Sequence, residues 1–135
     1  SGIGSRIQFL GFRRDIPELF CAADWYCQPN TLPESFGISF VEALYSGLPV
    51  LTSDIGGGKE IVTQECGLLT PPSDVVELEA ALKKILGPGG GQFGRKLSPN
   101  CRPRAHKLCD PVQQFLRIEK ALTRRSNYSI SNLES

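Results

Sequence analysis

Apolar and polar positions alternate between two periods along this chain. From Arg6 to Phe12 the apolar residues Ile7, Phe9, Leu10 and Phe12 predict a short strand. Asp15 followed by Pro17 and Glu18 has capping-box spacing, and Leu19, Phe20 and Ala23 give the helix behind it an apolar face. Trp25 to Gln28 predicts a second strand, stopped by Pro29, and a loop runs from Asn30 to Glu34. Ser35 to Ser46 predicts a helix ending at Gly47, with Pro49 just beyond. Val50 to Ser53 and Gly67 to Thr70 are further strands. They bracket a glycine loop, Asp54 to Gly58, and a short helix, Lys59 to Gln64. Asp74 and Glu77 repeat the capping-box spacing ahead of an amphipathic helix striped by Leu78, Leu82, Ile85 and Leu86.

Beyond Gly87 the pattern loosens. Gly87 to Gly94 reads as a flexible linker. The helices of 95–125 follow, the last opened by Asp110 and Pro111 with Phe115, Leu116 and Leu122 inward. Residues 126–135 form a polar, frayed tail. Strands alternating with helices predict an α/β fold, a Rossmann-like parallel sheet with flanking helices, whose core is residues 1–86. Ligands of such sheets sit beyond the carboxyl ends of the strands. That directs attention to two loops, Pro29 to Phe36 and Asp54 to Lys59. No strand is followed by G-x-G-x-x-G, which disfavours a dehydrogenase half.

Charge and cysteine usage narrow the function classes. Fifteen Lys and Arg against fourteen Asp and Glu leave a formal net charge of +1. No global field therefore favours nucleic acid. Basic residues gather between Arg95 and Arg125. They read as solvated helix faces, with a peripheral membrane or partner contact as the alternative. The five cysteines are an odd number, lack C-x-x-C spacing and have one histidine, His106, for company. Zinc-site spacing is absent, and a reducing, cytoplasmic setting, which includes the cytosolic membrane face, fits better than a disulfide framework. Cys21 and Cys27 lie in apolar runs and read as buried thiols. No apolar run is long enough to span a membrane, and no signal peptide is visible.

The candidate chemistry lies in Glu34-Ser-Phe-Gly-Ile-Ser-Phe-Val-Glu42. Glu42 is the only charged residue between Glu34 and Asp54, on a helix whose other members are mostly apolar, so it is expected to be buried and in need of hydrogen-bond donors. Sugar hydroxyls or backbone amides would serve. At the helix start the amides of Phe36, Gly37 and Ile38 are free, and the dipole presents its positive end to an anion. Glu42 lies about 8 Å further along the axis at roughly 1.5 Å per residue. A diphosphate at the tip and a ribose along the side suit that spacing, with Glu34 facing what lies beyond the phosphates. The alternative is a capped structural helix with Glu42 bonded to neighbouring backbone.

Several segments, in order, are similar to the carboxyl-terminal domain of family 4 glycosyltransferases. They are Phe9-Leu-Gly-Phe, Asp15-Ile-Pro-Glu-Leu-Phe, Ala22-Ala-Asp24, Pro29, Glu34 to Glu42, Ala43 to Val50, Ser53-Asp-Ile-Gly-Gly57, Glu60-Ile-Val62 and Gly67 to Pro72. The match is strongest from Arg6 to Pro72. The resemblance implies half of a GT-B fold with its first βα units missing, a nucleotide-diphosphate sugar as donor substrate, retention of anomeric configuration, and no metal or other cofactor. It implies that Glu34 is the catalytic position at the donor sugar. Ser35, Phe36, Gly37 and Ile38 would hold sugar and diphosphate, and Glu42 the ribose. Gly56 and Gly57 are weaker candidates, for which a loop-shaping role is favoured over a phosphate cradle. The basic pair that the family uses for the diphosphate and the acceptor-binding domain both lie outside this chain, so the fragment alone is expected to be inactive. The acceptor is unknown. A non-catalytic nucleotide-sugar-binding or interaction module of the same fold is the alternative function.

Overall fold

A computed structural model describes residue 2 and residues 4–126. After a single 3-10 turn, Gly4–Arg6, the order is α1 (Ile16–Ala22), β1 (Tyr26–Gln28), α2 (Ile38–Tyr45), β2 (Val50–Ser53), α3 (Gly57–Ile61), β3 (Gly67–Thr70), α4 (Val75–Leu86), α5 (Gly90–Cys109) and α6 (Pro111–Ser126). The strands form one parallel sheet in the order β1-β2-β3, with Tyr26 opposite Val50 and Val50 opposite Gly67.

Local chemistry explains where the central elements stop. Helix α2 ends in a Schellman motif. Gly47, at φ 83°, donates to the Leu44 carbonyl at 2.9 Å, and Leu48 donates to the Ala43 carbonyl at 2.9 Å. Pro49 then turns the chain into β2. Asp74 caps α4 as its spacing predicts, its Oδ1 accepting from the amides of Val76 and Glu77, both at 3.0 Å. Asp110 caps α6 in the same way. Asp15 does not cap α1, because its carboxylate is engaged by the Arg13 guanidinium two residues before it. That ion pair holds the Asp15 carboxyl below its usual range.

The core lies between the sheet and helices α2, α3 and α5, around Phe40, Leu44, Val50, Ile61, Val62, Cys66 and Cys101. Helix α5 differs most from expectation. Gly90 and Gly94, read as linker, form its first turns, and the helix continues through Pro99 and Pro103. The glycines serve close approach rather than flexibility. A Cβ at Gly90 would lie 1.9 Å from the Ile85 carbonyl oxygen, and one at Gly94 would lie 2.8 Å from Trp25 Nε1. With Cys101 and Ala105 they are the buried residues of α5, the two glycines lying against Ile85 and Trp25. Its polar side chains cap neighbouring helix ends. Ser98 donates to the Gly47 carbonyl, Arg102 to that of Tyr45, and Arg104 to that of Ile61.

Other expectations are corrected at the periphery. Residues 7–12 form no strand, and Phe9 and Phe12 are 95% and 90% exposed. Apolar alternation alone makes no strand without a ladder partner, and these residues pair with none of β1 to β3. Cys21 and Cys27 are exposed, while Cys66 and Cys101 are the buried thiols. Cys27 lies on the face of edge strand β1 opposite Tyr26 and Gln28 and is exposed, though partial burial still pushes its thiol up. Leu86, Phe115, Leu116 and Leu122, expected inward, are exposed. The polar tail expected over residues 126–135 divides at the end of α6: Ser126 closes that helix, and residues 127–135 lie outside the described residues. Among the described residues no helix is long and apolar enough to cross a membrane.

Candidate functional site

The loops after β1 and β2 meet at the carboxyl edge of the sheet. The Asn30 amide donates to Ser53 Oγ at 3.0 Å, tying the two strand ends together. The glycine loop then lies directly against the chain that carries Glu34. The Gly57 amide donates to the Glu34 carbonyl at 3.0 Å. A Cβ at Gly56 would come within 2.7 Å of the Glu34 carbonyl oxygen, and one at Gly57 within 2.5 Å of the Phe36 carbonyl oxygen. Gly56 also holds φ 55°, ψ −140°, a region that side chains other than glycine's rarely adopt. Gly56 and Gly57 thus shape the Glu34–Phe36 segment by permitting backbone to lie on backbone.

Glu34 is half-buried and anchored through one oxygen. Its Oε2 accepts from Gln28 Nε2 at 3.0 Å and from Asn30 Nδ2 at 3.2 Å. Gln28 is itself held by Tyr26 and Ser39, whose hydroxyls meet its Oε1. These four partners were missed in the sequence. The available signal was Gln28, a polar residue closing an otherwise apolar strand at its ligand-binding end.

At the tip of α2, Gly37 takes a left-handed conformation, φ 80°, as the residue before the first turn. Its carbonyl closes that turn onto Phe40 and Val41. A Cβ there would lie 2.4 Å from the buried Phe40 ring, so only glycine fits. Among the described residues no hydrogen-bond acceptor meets the amides of Phe36, Gly37, Ile38 or Ser39. They are open to an anion, but α2 begins at Ile38 rather than at Ser35, so Phe36 and Gly37 precede the helix. Ser35, Phe36 and Ile38 are exposed around them.

Glu42 departs from expectation: it is exposed, not buried. Ile38, Glu42 and Tyr45 follow i, i+4, i+7 spacing and share the one open face of α2, while Phe40, Val41, Ala43 and Leu44 pack inward. Among the described residues nothing donates to the Glu42 carboxylate, so it is not bonded to neighbouring backbone. It borders a cavity of about 390 Å³ between α1 and α2, walled by Ile16, Pro17, Phe20, Val41, Tyr45 and Ser46. A second hollow, about 170 Å³, lies at the strand ends between Asn30, Ser53, Thr70 and Asp74. There Ser53, Thr70 and Asp74 are already hydrogen-bonded within the chain. The larger cavity is therefore the one that offers an unengaged charge beside apolar wall. Among the described residues no three His, Cys, Asp or Glu side chains gather where a metal ion could be held. His106 lies on α5 with its ring 4.9 Å from that of Tyr45.

A parallel sheet flanked by helices, with its polar loops and helix tip at the carboxyl edge, is a Rossmann-like arrangement. The chain belongs to the family described as Glycosyl transferases group 1, whose model matches residues 1–105. The phosphatidyl-myo-inositol mannosyltransferase of Mycobacterium leprae is 39% identical over 88 residues, 63% of this chain and 24% of that protein. The MMP alpha-(1->4)-mannosyltransferase of Mycolicibacterium hassiacum is 37% identical over 116 residues, 82% of this chain and 28% of that protein. Among solved structures, Anabaena Alr3699/HepE in complex with UDP superposes with a TM-score of 0.75 at 33% identity, over 91% of this chain and 34% of that one. Sucrose-phosphate synthase from Thermosynechococcus elongatus gives 0.68 at 27%, over 94% and 32%. The chain spans about a quarter of the length of the curated relatives it matches.

Proposed function

We propose that this chain is the donor-binding part of a longer glycosyltransferase. The enzyme moves a sugar from a nucleotide-diphosphate sugar to an acceptor with retention of anomeric configuration. One observation carries the reading: unpartnered amides at the tip of α2 stand between an anchored carboxylate, Glu34, and an open one, Glu42. The diphosphate lies against the amides of Phe36, Gly37 and Ile38, beside Ser35, where the helix dipole stabilises its charge. The ribose hydroxyls donate to Glu42, and the nucleoside rests on the apolar wall of its cavity. Glu34 accepts from hydroxyls of the transferred sugar and holds its reacting carbon towards the acceptor. The complexes of Anabaena Alr3699/HepE with UDP and with UDP-glucose support a nucleotide-sugar donor here.

The chemistry needs no metal in this reading, because helix-tip amides and basic side chains elsewhere in the enzyme neutralise the leaving diphosphate. Transfer also needs the acceptor held against the donor, and orientation supplies much of the rate. Residues 1–135 alone therefore transfer no sugar. The enzyme works on the cytoplasmic side, where nucleotide-sugars are made, with any membrane contact peripheral. The reading is tested by calorimetry on the full-length protein. Glu42→Gln weakens nucleotide-sugar binding by about 1.5–3 kcal/mol, the loss of hydrogen bonds to a charged group. Unchanged affinity returns Glu42 to a structural role. Binding without transfer to any acceptor would favour a non-catalytic module.

A further inference from the structure

The carboxylate of Glu34 is not free on both sides. Its Oε2 receives two amide N–H groups, from Gln28 at 3.0 Å and Asn30 at 3.2 Å, whereas nothing among the described residues donates to Oε1. An ionised carboxylate only accepts, so the Gln28 side chain can face it only with its NH2 group. Its carbonyl oxygen is then turned to Tyr26 and Ser39, whose hydroxyls donate to it, the latter at 3.1 Å. Ser39 sits on the first turn of α2 and Tyr26 on β1, so the glutamine amide is clamped between helix and sheet before it reaches Glu34. All five side chains are half-buried, where such bonds are less diluted by water.

We propose that Gln28, backed by Tyr26 and Ser39 and assisted by Asn30, is a positioning residue. It fixes Glu34 by Oε2 so that Oε1 alone is presented to the donor sugar. The proposal rests on Glu34 acting at that sugar, as set out above. Four hydrogen bonds converge on two side chains, so the carboxylate is held in one orientation before substrate arrives. Little reorganisation remains for the transition state. The nucleotide, which lies along α2 on the far side of the helix tip, does not depend on this network.

The test is kinetic, on the full-length transferase with a nucleotide-sugar donor. Gln28→Met keeps the side-chain length and removes the bond donated to Glu34 together with those accepted from Tyr26 and Ser39. It lowers kcat on the order of tenfold or more, as losing a bond to a charged group does. The donor KM and the Kd for nucleoside diphosphate alone stay near wild type. Asn30→Ala, beyond the strand end and so indifferent to strand stability, gives the same split. Added to Glu34→Ala, Gln28→Met costs nothing more, because the group it positions is gone. If both Gln28→Met and Asn30→Ala keep wild-type kcat while Glu34→Ala loses it, the positioning role is wrong and the donor-site reading stands. An equal further loss in the Glu34→Ala background also overturns it, since Gln28 would then act independently. Wild-type turnover by Glu34→Ala overturns the site reading itself, and this proposal with it.

Discussion

Replacing Gly56 by alanine tests how the glycine loop supports Glu34. The new Cβ would lie 2.7 Å from the Glu34 carbonyl oxygen, 2.8 Å from the Glu34 nitrogen and 3.0 Å from Pro33 Cα. All three are backbone atoms and cannot swing aside. Strain at φ 55°, ψ −140° adds to the clash. The backbone strain costs about 1–3 kcal/mol and the overpacking another ~1–3 kcal/mol. Together they amount to roughly 2–6 kcal/mol, a large part of the ~5–15 kcal/mol that stabilises a typical domain. Gly89 supplies the control. It has φ 87°, ψ −4°, and a Cβ there would meet nothing within 4 Å. Gly89→Ala therefore meets only the left-handed penalty, about 1–2 kcal/mol. Equilibrium urea unfolding of both variants compares the crowded glycine with the open one. If Gly56→Ala costs no more than Gly89→Ala, the glycine loop does not rest on Glu34 as described.

Three further outcomes follow from particular contacts. Glu34→Ala depresses kcat more than it raises the donor KM in steady-state assays of the full-length enzyme; a change in KM alone contradicts its placement at the sugar. Asp74→Ala removes the cap of α4 and lowers the unfolding free energy of the chain by about 1 kcal/mol; a loss below ~0.3 kcal/mol would show the cap to be idle. In thiol titration with an aromatic disulfide near pH 8, exposed Cys21 and Cys109 react at once and Cys27, its thiol pushed up by burial, more slowly, while Cys66 and Cys101 react only on unfolding. Burial, with Cys66 nearby as the smaller cause, pushes the Cys101 thiol up to about 12. The fold therefore favours its neutral form, and that contribution, complete below the ordinary thiol value near 9, declines as pH rises towards 12. Five fast thiols would contradict this packing.

Where sequence and structure agree, a local rule decides the outcome. Val50–Ser53 and Gly67–Thr70 are short apolar runs bounded by turn residues and appear as strands with those ends. Gly47 and Asp74 end and begin helices through their own hydrogen bonds. The unpartnered amides of Gly37, Ile38 and Ser39 follow from helix geometry alone. Where they diverge, the deciding partner is distant in the chain. Glycine and proline signalled a break at Gly87 to Gly94, but the surfaces of Trp25 and Ile85 make small residues an advantage in α5. The overall apolar character of its helix predicts a buried Glu42. The i, i+4, i+7 stripe of Ile38, Glu42 and Tyr45 is what leaves that one face open. Gln28 drew no notice because its meaning depends on Glu34, Ser39 and Tyr26 meeting around it.

The central claim is that the Glu34–Glu42 segment holds a nucleoside diphosphate at the tip of α2. Titrating the isotopically labelled chain with millimolar UDP and GDP, and following backbone amides by NMR, tests it most directly, since weak binding is still read out. The account predicts shifts concentrated at Phe36, Gly37, Ile38 and Ser39, spreading along α2 to Glu42 and attenuated along the helix in Glu42→Gln. Shifts confined to another face of the chain, or none with either nucleotide, would contradict it.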